Sequence, residues 1–197
     1  MHYTIFSLIT GISWLVLIVY WVISSPFSKR SARGVGWWRR EIGIRLALIA
    51  VIFLLFKIGA LSKSTVSSFY QSTVFAESNI AFGIIGAVLC VAGVAFAIWA
   101  RAYLGRNWGM PMTLQEEHKL ITLGPYTFVR HPIYTGFFLA MLGTAFADGI
   151  IWLIILIFAG IYFIYSATVE EKIMLKQFPD EYPAYMRRTK MFIPFLL

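Results

Sequence analysis

Residues 124–134 read Gly-Pro-Tyr-Thr-Phe-Val-Arg-His-Pro-Ile-Tyr, and they set polar chemistry where a bilayer should begin. Pro132 opens an apolar run that reaches Ala147. Proline is favoured in the first turn of a helix, where its missing N–H has no partner to lose. Arg130 and His131 are therefore expected at the mouth of a membrane helix, facing water and the helix's positive end. A second polar cluster, Glu170-Glu171, closes the next apolar run, and Asp148-Gly149 between the two runs is a turn signal. At about 1.5 Å per residue, the arm from 148 back to 131 measures roughly 26 Å and the arm from 148 on to 170 roughly 33 Å. Both clusters should reach the same membrane surface. Their meeting point is the candidate active site.

The composition agrees with a membrane protein. Of 197 residues, 59% are hydrophobic and only 13% charged, against roughly 25% charged in soluble domains. A hydrophobic helix crosses the hydrocarbon core with about 20 residues. Five stretches qualify as spans: 3–23, 42–61, 80–100, a short 133–147, and 150–169. The fold class is thus an all-α integral membrane protein forming a single domain over 1–197. Spans four and five form a helical hairpin, and the loop 106–131 with the C-terminal tail roofs a cytosolic pocket. The first span lacks a basic leader and a small-residue cleavage site, so it reads as retained rather than removed. The third, with Gly83, Gly86, Ala87, Ala92 and Gly93, suits close helix packing.

Charge placement orients the chain. Lys29, Arg30, Arg33, Arg39, Arg40 and Arg45 follow span one; Arg101, Arg106, Lys119 and Arg130 follow span three. Lys172, Lys176, Arg187, Arg188 and Lys190 follow span five, which puts all but Lys57 and Lys63 on one side. By the positive-inside rule that side is cytoplasmic, with the N-terminus outside. The net charge of +8 flanks apolar spans, as expected at an anionic leaflet, and does not form a nucleic-acid surface. Trp37-Trp38 beside Arg39-Arg40 reads as an interfacial anchor. Glu77 and Asp148 read as ordinary loop or turn residues, and Cys90, the one cysteine, as a packing thiol. In the tail, Tyr182 and Tyr185 stand three apart and can share a helix face, although aromatic residues among basic ones also describe an interfacial belt. Tyr126 and Tyr134 carry the same two readings.

The run Leu104-Gly105-Arg106-Asn107-Trp108, then His118-Lys119-Leu120-Ile121, Gly124-Pro125-Tyr126 and Arg130-His131-Pro132-Ile133-Tyr134-Thr135-Gly136, leads on to Glu170-Glu171 and a Phe178…Asp180-Glu181-Tyr182…Tyr185…Ile193-Pro194 tail. Over about 101–194 this resembles the isoprenylcysteine carboxyl methyltransferases and their phospholipid-methyltransferase relatives. The resemblance implies an S-adenosylmethionine-dependent methyltransferase whose catalytic half is 101–197, releasing S-adenosylhomocysteine, with a lipophilic or lipidated acceptor. The carboxylate of an isoprenylcysteine is the first acceptor implied; a lipid amine or a small thiol are the alternatives. It further implies a cofactor site formed by His118, Lys119, Leu120, Ile121, Tyr126, His131, Pro132, Tyr134, Glu170 and Glu171, with Arg101, Arg130 and His131 as catalytic candidates. Two adjacent glutamates point about 100° apart on a helix, so one of the two should face the pocket.

The residues themselves support such chemistry. No strand–GxGxxG–helix unit is present, so a Rossmann site is excluded. A carboxylate can pair with an ammonium or accept from ribose hydroxyls, a helix N-terminus can hold a carboxylate, and tyrosine faces can lie against a sulfonium. No ligand spacing calls for a metal. In one respect the pattern departs from the prenylcysteine enzymes, which tend to carry an arginine about one turn before the paired glutamates. Tyr165-Ser166-Ala167-Thr168 occupies that stretch here, and Arg101 is the candidate substitute. A non-catalytic scaffold or transporter would place ionisable groups at mid-bilayer, which spans three and five lack. A nicotinamide-dependent reductase is the third reading.

Overall fold

The computed structural model describes residues 2–24, 79–108, 119–149 and 151–194. Among these residues the chain forms α1 (His2–Ser24), α2 (Ile80–Leu104), α3 (Pro132–Asp148), α4 (Ile151–Gln177) and α5 (Glu181–Arg188), with 3-10 turns at Gly105–Asn107 and Gly124–Thr127. The pairing of Val129 with Lys190 is an isolated bridge, and no strand forms among the described residues. The expected all-α membrane architecture is observed. The expected span 42–61, its flanking basic residues, Trp37-Trp38, Glu77 and His118 lie outside the described residues.

Helices α1, α2 and α4 are long and apolar enough to cross a membrane. Their outer faces carry large apolar side chains into the surroundings: Leu8, Leu15 and Val22 on α1, Val88 on α2, and Ile157, Phe158 and Ile161 on α4. A soluble protein rarely exposes so continuous an apolar surface, whereas hydrocarbon accommodates it at no cost.

Lipid offers no hydrophobic drive for one helix to seek another, so association rests on close packing. The seam between α2 and α3 shows how. Gly86 and Gly93 lie seven residues apart on α2, as do Gly136 and Gly143 on α3, so each pair occupies one helix face. A Cβ on Gly86 would stand 2.6 Å from the carbonyl oxygen of Gly143, and one on Gly136 would stand 2.6 Å from that of Gly93. The two backbones touch at both levels. Leu17 of α1 then packs into Cys90, Val94, Ala97 and Ala140, with Trp14, Trp21 and Phe137 around it. Cys90 is a buried packing thiol.

Helix α4 outlasts the 150–169 span and continues to Gln177, so Glu170 and Glu171 lie on it. Leaving the hydrocarbon breaks no i→i−4 bond, and Glu-Glu-Lys-Ile-Met-Leu-Lys-Gln is rich in good helix formers. The end comes where Pro179 disfavours helical backbone at Phe178. One expectation needs correction here: Asp148 is not an ordinary turn residue. It is buried at the C-terminus of α3 and accepts from Ser7 Oγ at 2.5 Å and Thr10 Oγ1 at 2.7 Å. Trp14 Nε1 donates to Thr144 Oγ1 at 3.0 Å one turn earlier. Hydrogen bonds to a charged group contribute about 1.5–3 kcal/mol each, so this end of α3 is stapled to α1. Gly149, at φ 113°, reverses the chain immediately beyond.

Candidate active site

The opposite end of α3 is built from three elements meeting. Pro132 starts the helix and His131 precedes it with φ −122° and no side-chain cap. The tail returns beside this junction: the Arg130 amide donates to the Lys190 carbonyl at 2.8 Å and the His131 amide to the Met191 carbonyl at 3.0 Å. Thr135 Oγ1 donates to the Phe192 carbonyl at 2.7 Å. The turn Gly124–Thr127 is clasped by Tyr185, whose hydroxyl donates to the Tyr126 carbonyl at 2.6 Å. Helix α4 supplies the remaining wall.

Four ionisable side chains converge there. Arg130 Nε donates to Glu171 Oε1 at 2.6 Å, and its Nη1 donates to the carbonyls of Thr189 and Met186. His131 lies between the two glutamates, Nδ1 at 3.5 Å from Glu170 Oε2 and Nε2 at 3.5 Å from Glu171 Oε1. These separations are within ion-pair reach, but His131 Nε2 makes no aligned hydrogen bond. Burial opposes charge on His131, yet the hydrogen bonds and fields of Glu170 and Glu171 outweigh it and raise its pKa above the ordinary histidine range. Glu170 is oriented by hydroxyls: Tyr134 Oη donates to its Oε1 at 2.7 Å and Ser166 Oγ donates to the same oxygen at 2.9 Å. Its other oxygen is left toward His131.

Arg130, His131, Tyr134 and Glu170 border a cavity of about 400 Å³, within the range typical of small-molecule sites. Its polar wall includes Lys119, Tyr126, Arg130, His131 and Glu170; its apolar wall includes Trp21, Leu104, Trp108, Phe137 and Phe163. A stack of rings joins the two. His131 lies over Tyr134, centroids 5.6 Å apart, and Tyr134 over Phe163 at 4.6 Å, both near parallel.

Of the residues singled out in the sequence, Lys119, Leu120, Ile121, Tyr126, Arg130, His131, Pro132, Tyr134 and Glu170 border this cavity. Glu171 does not; it faces Arg130 and His131 behind the wall. Arg101 does not either. Its guanidinium donates to the carbonyls of Gly105 at 2.8 Å and Ser24 at 2.9 Å and lies 4.5 Å from the Trp108 ring centroid. It fastens the ends of α1 and α2, and Trp108 in turn borders the cavity. Arg130 and His131, expected to face water, are instead buried. Arg130 is held by Glu171 and two carbonyls, which makes it a tie between α4 and the tail.

Several wall residues escaped the sequence reading. Tyr182 and Tyr185 form part of the wall, with ring centroids 5.9 Å apart, and are buried rather than interfacial. Burial pushes the phenol of Tyr182 above its ordinary range and that of Tyr185 up to about 12, so both remain neutral donors at physiological pH. Asn107 borders the cavity with a buried Oδ1 that has no hydrogen-bond partner among the described residues. Met174 and Phe163 complete the α4 side. Among the described residues no group of three His, Cys, Asp or Glu side chains could hold a metal ion.

Comparison with known proteins places this architecture. Over 158 residues the chain is 24% identical to the nickel-cobalt-cadmium resistance protein NccN of Alcaligenes xylosoxydans xylosoxydans, covering 79% of this chain and 65% of that protein. It is 34% identical over 83 residues to the protein-S-isoprenylcysteine O-methyltransferase of Schizosaccharomyces pombe, covering 41% of this chain and 35% of that one. With methanethiol S-methyltransferase 1 of Bradyrhizobium diazoefficiens it shares 39% identity over 72 residues, 35% of this chain and 24% of that one. The chain thus spans less than two thirds of the length of each of these relatives. Residues 82–181, half of the chain, match the profile of the phospholipid methyltransferase family. That stretch takes in α2, the 124–134 motif, the α3–α4 hairpin and both glutamates, and the chain belongs to the phospholipid methyltransferase family of integral membrane proteins.

Proposed function

We propose that this protein is an S-adenosylmethionine-dependent methyltransferase that acts on a lipophilic acceptor. The observation that carries the reading is the single cavity bordered by both the motif residues and an apolar wall. Its residues suit the cofactor. Among the described residues, the buried Asn107 Oδ1 at its border has no hydrogen-bond partner, and an unsatisfied buried polar atom calls for an explanation such as a ligand. Glu170, with one oxygen already oriented by Tyr134 and Ser166, would pair with the ammonium or accept from the ribose hydroxyls. Lys119, Leu120, Ile121, Tyr126, Pro132 and the Tyr134 ring would flank the remainder, with Lys119, Arg130 and His131 the cations on the cavity border that could meet a carboxylate. His118, outside the described residues, belongs to the same proposed set.

When bound, S-adenosylmethionine supplies a methyl group on a sulfonium, activated for in-line displacement. The chain's own part is alignment and exclusion of water, since such a transfer needs little acid–base help. The ring stack His131–Tyr134–Phe163 runs from the charged wall to the apolar one, and the neutral rings of Tyr126, Tyr182 and Tyr185 on the same cavity would favour a sulfonium. Trp21, Leu104, Phe137 and Phe163 would receive the acceptor's apolar body and keep its nucleophile dry. Arg130, Glu171 and His131 act as positioning residues that hold α4 against the tail. Arg101 would act through Trp108, and a direct contact with the acceptor is not part of this reading.

The isoprenylcysteine carboxylate is the first acceptor proposed, on the identity with the fission-yeast methyltransferase. A small thiol is the second, on the identity with the methanethiol methyltransferase. The site opens to the cytoplasm, with the N-terminus outside, on the distribution of Lys and Arg. Transfer of labelled methyl to isoprenylcysteine, lipid-amine and thiol acceptors tests the assignment. Product with one class identifies the acceptor; failure of purified protein to bind S-adenosylhomocysteine at high micromolar concentration would refute the reading.

A further inference from the structure

A second, smaller concavity of about 190 Å³ lies on the other side of the returning tail, lined by Thr127, Phe128, Arg187, Arg188, Lys190 and Pro194, with Met186 and Thr189 at its base. Three of its side chains are cationic and none is acidic. Arg187, Arg188 and Lys190 are all exposed, and no ion pair engages them among the described residues. The single polar contact within the cluster is Arg188 Nε donating to the Ala184 carbonyl at 3.4 Å, within its own helix.

Depth and neighbours narrow the choice of ligand. Thr127 and Phe128 stand four to five residues before Pro132, where α3 enters the apolar layer, so the concavity sits at headgroup level. Large apolar side chains stand in the open on the same segments: Phe128, which lines it, at 54%, and Leu123 at 69% and Ile193 at 46% exposure a few residues along the chain. Cations beside exposed apolar side chains at that depth match a lipid whose phosphate meets the cations while its chains run past Phe128 and Ile193. A soluble anion would use the charges and leave the apolar rim in water.

We propose that this concavity binds the headgroup of an anionic phospholipid of the same leaflet, and that the bound lipid braces the tail against the 129–131 segment. Lys190 is the joint between the two. Its side chain borders the concavity, while its backbone pairs with Val129 and accepts from the Arg130 amide. A lipid gripping Lys190 and Arg188 therefore restrains the tail segment that is hydrogen-bonded to Arg130 and His131. The site and its test stand independently of any methyl transfer.

The test uses the full-length protein in nanodiscs of phosphatidylcholine with and without phosphatidylglycerol. Native mass spectrometry after release should retain phosphatidylglycerol on the wild type. Arg188→Gln and Lys190→Gln should each weaken retention about five-fold, the effect of one cation near an anionic surface. In hydrogen exchange, the amides of Arg130 and His131 should be better protected with phosphatidylglycerol in the wild type, and the Arg188→Gln/Lys190→Gln variant should lose that gain. The side chains are exposed, so the variants should fold; unchanged protection of α2 and α3 amides verifies it. Equal retention in wild type and double variant would overturn the site. Retention without any change at Arg130 and His131 would overturn the bracing. Competition by millimolar inorganic phosphate as effective as by short-chain phosphatidylglycerol would reassign the concavity to a soluble anion and overturn the lipid.

Discussion

Each end of α3 has a carboxylate beside it, yet the two ends are finished differently. At the C-terminal end, Asp148 receives two hydroxyl donors from α1 and borders no described cavity. At the N-terminal end, Glu170 is half-exposed, its Oε1 fixed by Tyr134 and Ser166 while Oε2 faces a cavity shared with His131 and Asn107. A carboxylate whose donors come from a neighbouring helix, away from any described cavity, fastens helices together. One oriented by hydroxyls at the border of a cavity is arranged to meet something else. Burial alone does not separate the two cases; what each carboxylate borders does.

That contrast can be broken by substitution, the largest effect coming first. Arg130→Ala leaves Glu171 buried without its cation and removes the side-chain bonds to the carbonyls of Met186 and Thr189. Breaking a buried pair typically costs about 3–5 kcal/mol, so a large drop in thermal midpoint in detergent is expected; a midpoint within a degree or two of wild type would contradict the tie between α4 and the tail. Glu170→Ala should weaken S-adenosylhomocysteine binding by about 10- to 100-fold, the value of a hydrogen bond to a charged group. Its thermal midpoint should fall as well, because Tyr134 and Ser166 lose a shared acceptor and His131 an ion-pair partner. Asp148→Ala should separate the two readouts: about 1–3 kcal/mol lower stability from the unpartnered hydroxyls with unchanged affinity in calorimetry. If Asp148→Ala lost affinity as Glu170→Ala does, the two ends would not be functionally distinct.

The smallest effect is that of pH. Glu170 and Glu171 raise the His131 pKa against the effect of burial. A raised value in the folded state means stability that is fully present below the ordinary histidine range and lost as pH rises through the raised value. The wild-type thermal midpoint should therefore decline on the alkaline side of neutrality relative to His131→Asn, in which that dependence is absent. Parallel profiles for the two proteins would show that His131 is not charged in the folded state.

What the sequence could show followed from the kind of constraint involved. Membrane crossing imposes a length, so α1, α2 and α4 were legible from apolar runs, and the Pro132 start and Asp148-Gly149 turn bounded α3. Adjacent glutamates on a helix cannot both face one way, and Glu170 is the one at the cavity. Other features depend on residues distant in the chain. Nothing local distinguishes Asp148 from a turn aspartate, because its partners Ser7 and Thr10 lie about 140 residues away. Tyr182 and Tyr185 share their composition with an interfacial belt, and only the fold of α5 onto the 124–127 turn buries them. Phe163 and Met174 lie on a helix that is apolar almost all round, where no period marks the inward face. Ser166 stands in the stretch where the resemblance leads one to look for an arginine, and its hydrogen bond to Glu170 gives that position a role of its own.

The most direct measurement is isothermal calorimetry of detergent-purified protein with S-adenosylhomocysteine, run in parallel on wild type, Glu170→Ala and Asp148→Ala. One saturable site per chain, retained in Asp148→Ala and lost or greatly weakened in Glu170→Ala, is the expected outcome. No heat of binding in the wild type, or an identical isotherm for Glu170→Ala, would contradict a nucleotide cradle at the entrance of α3.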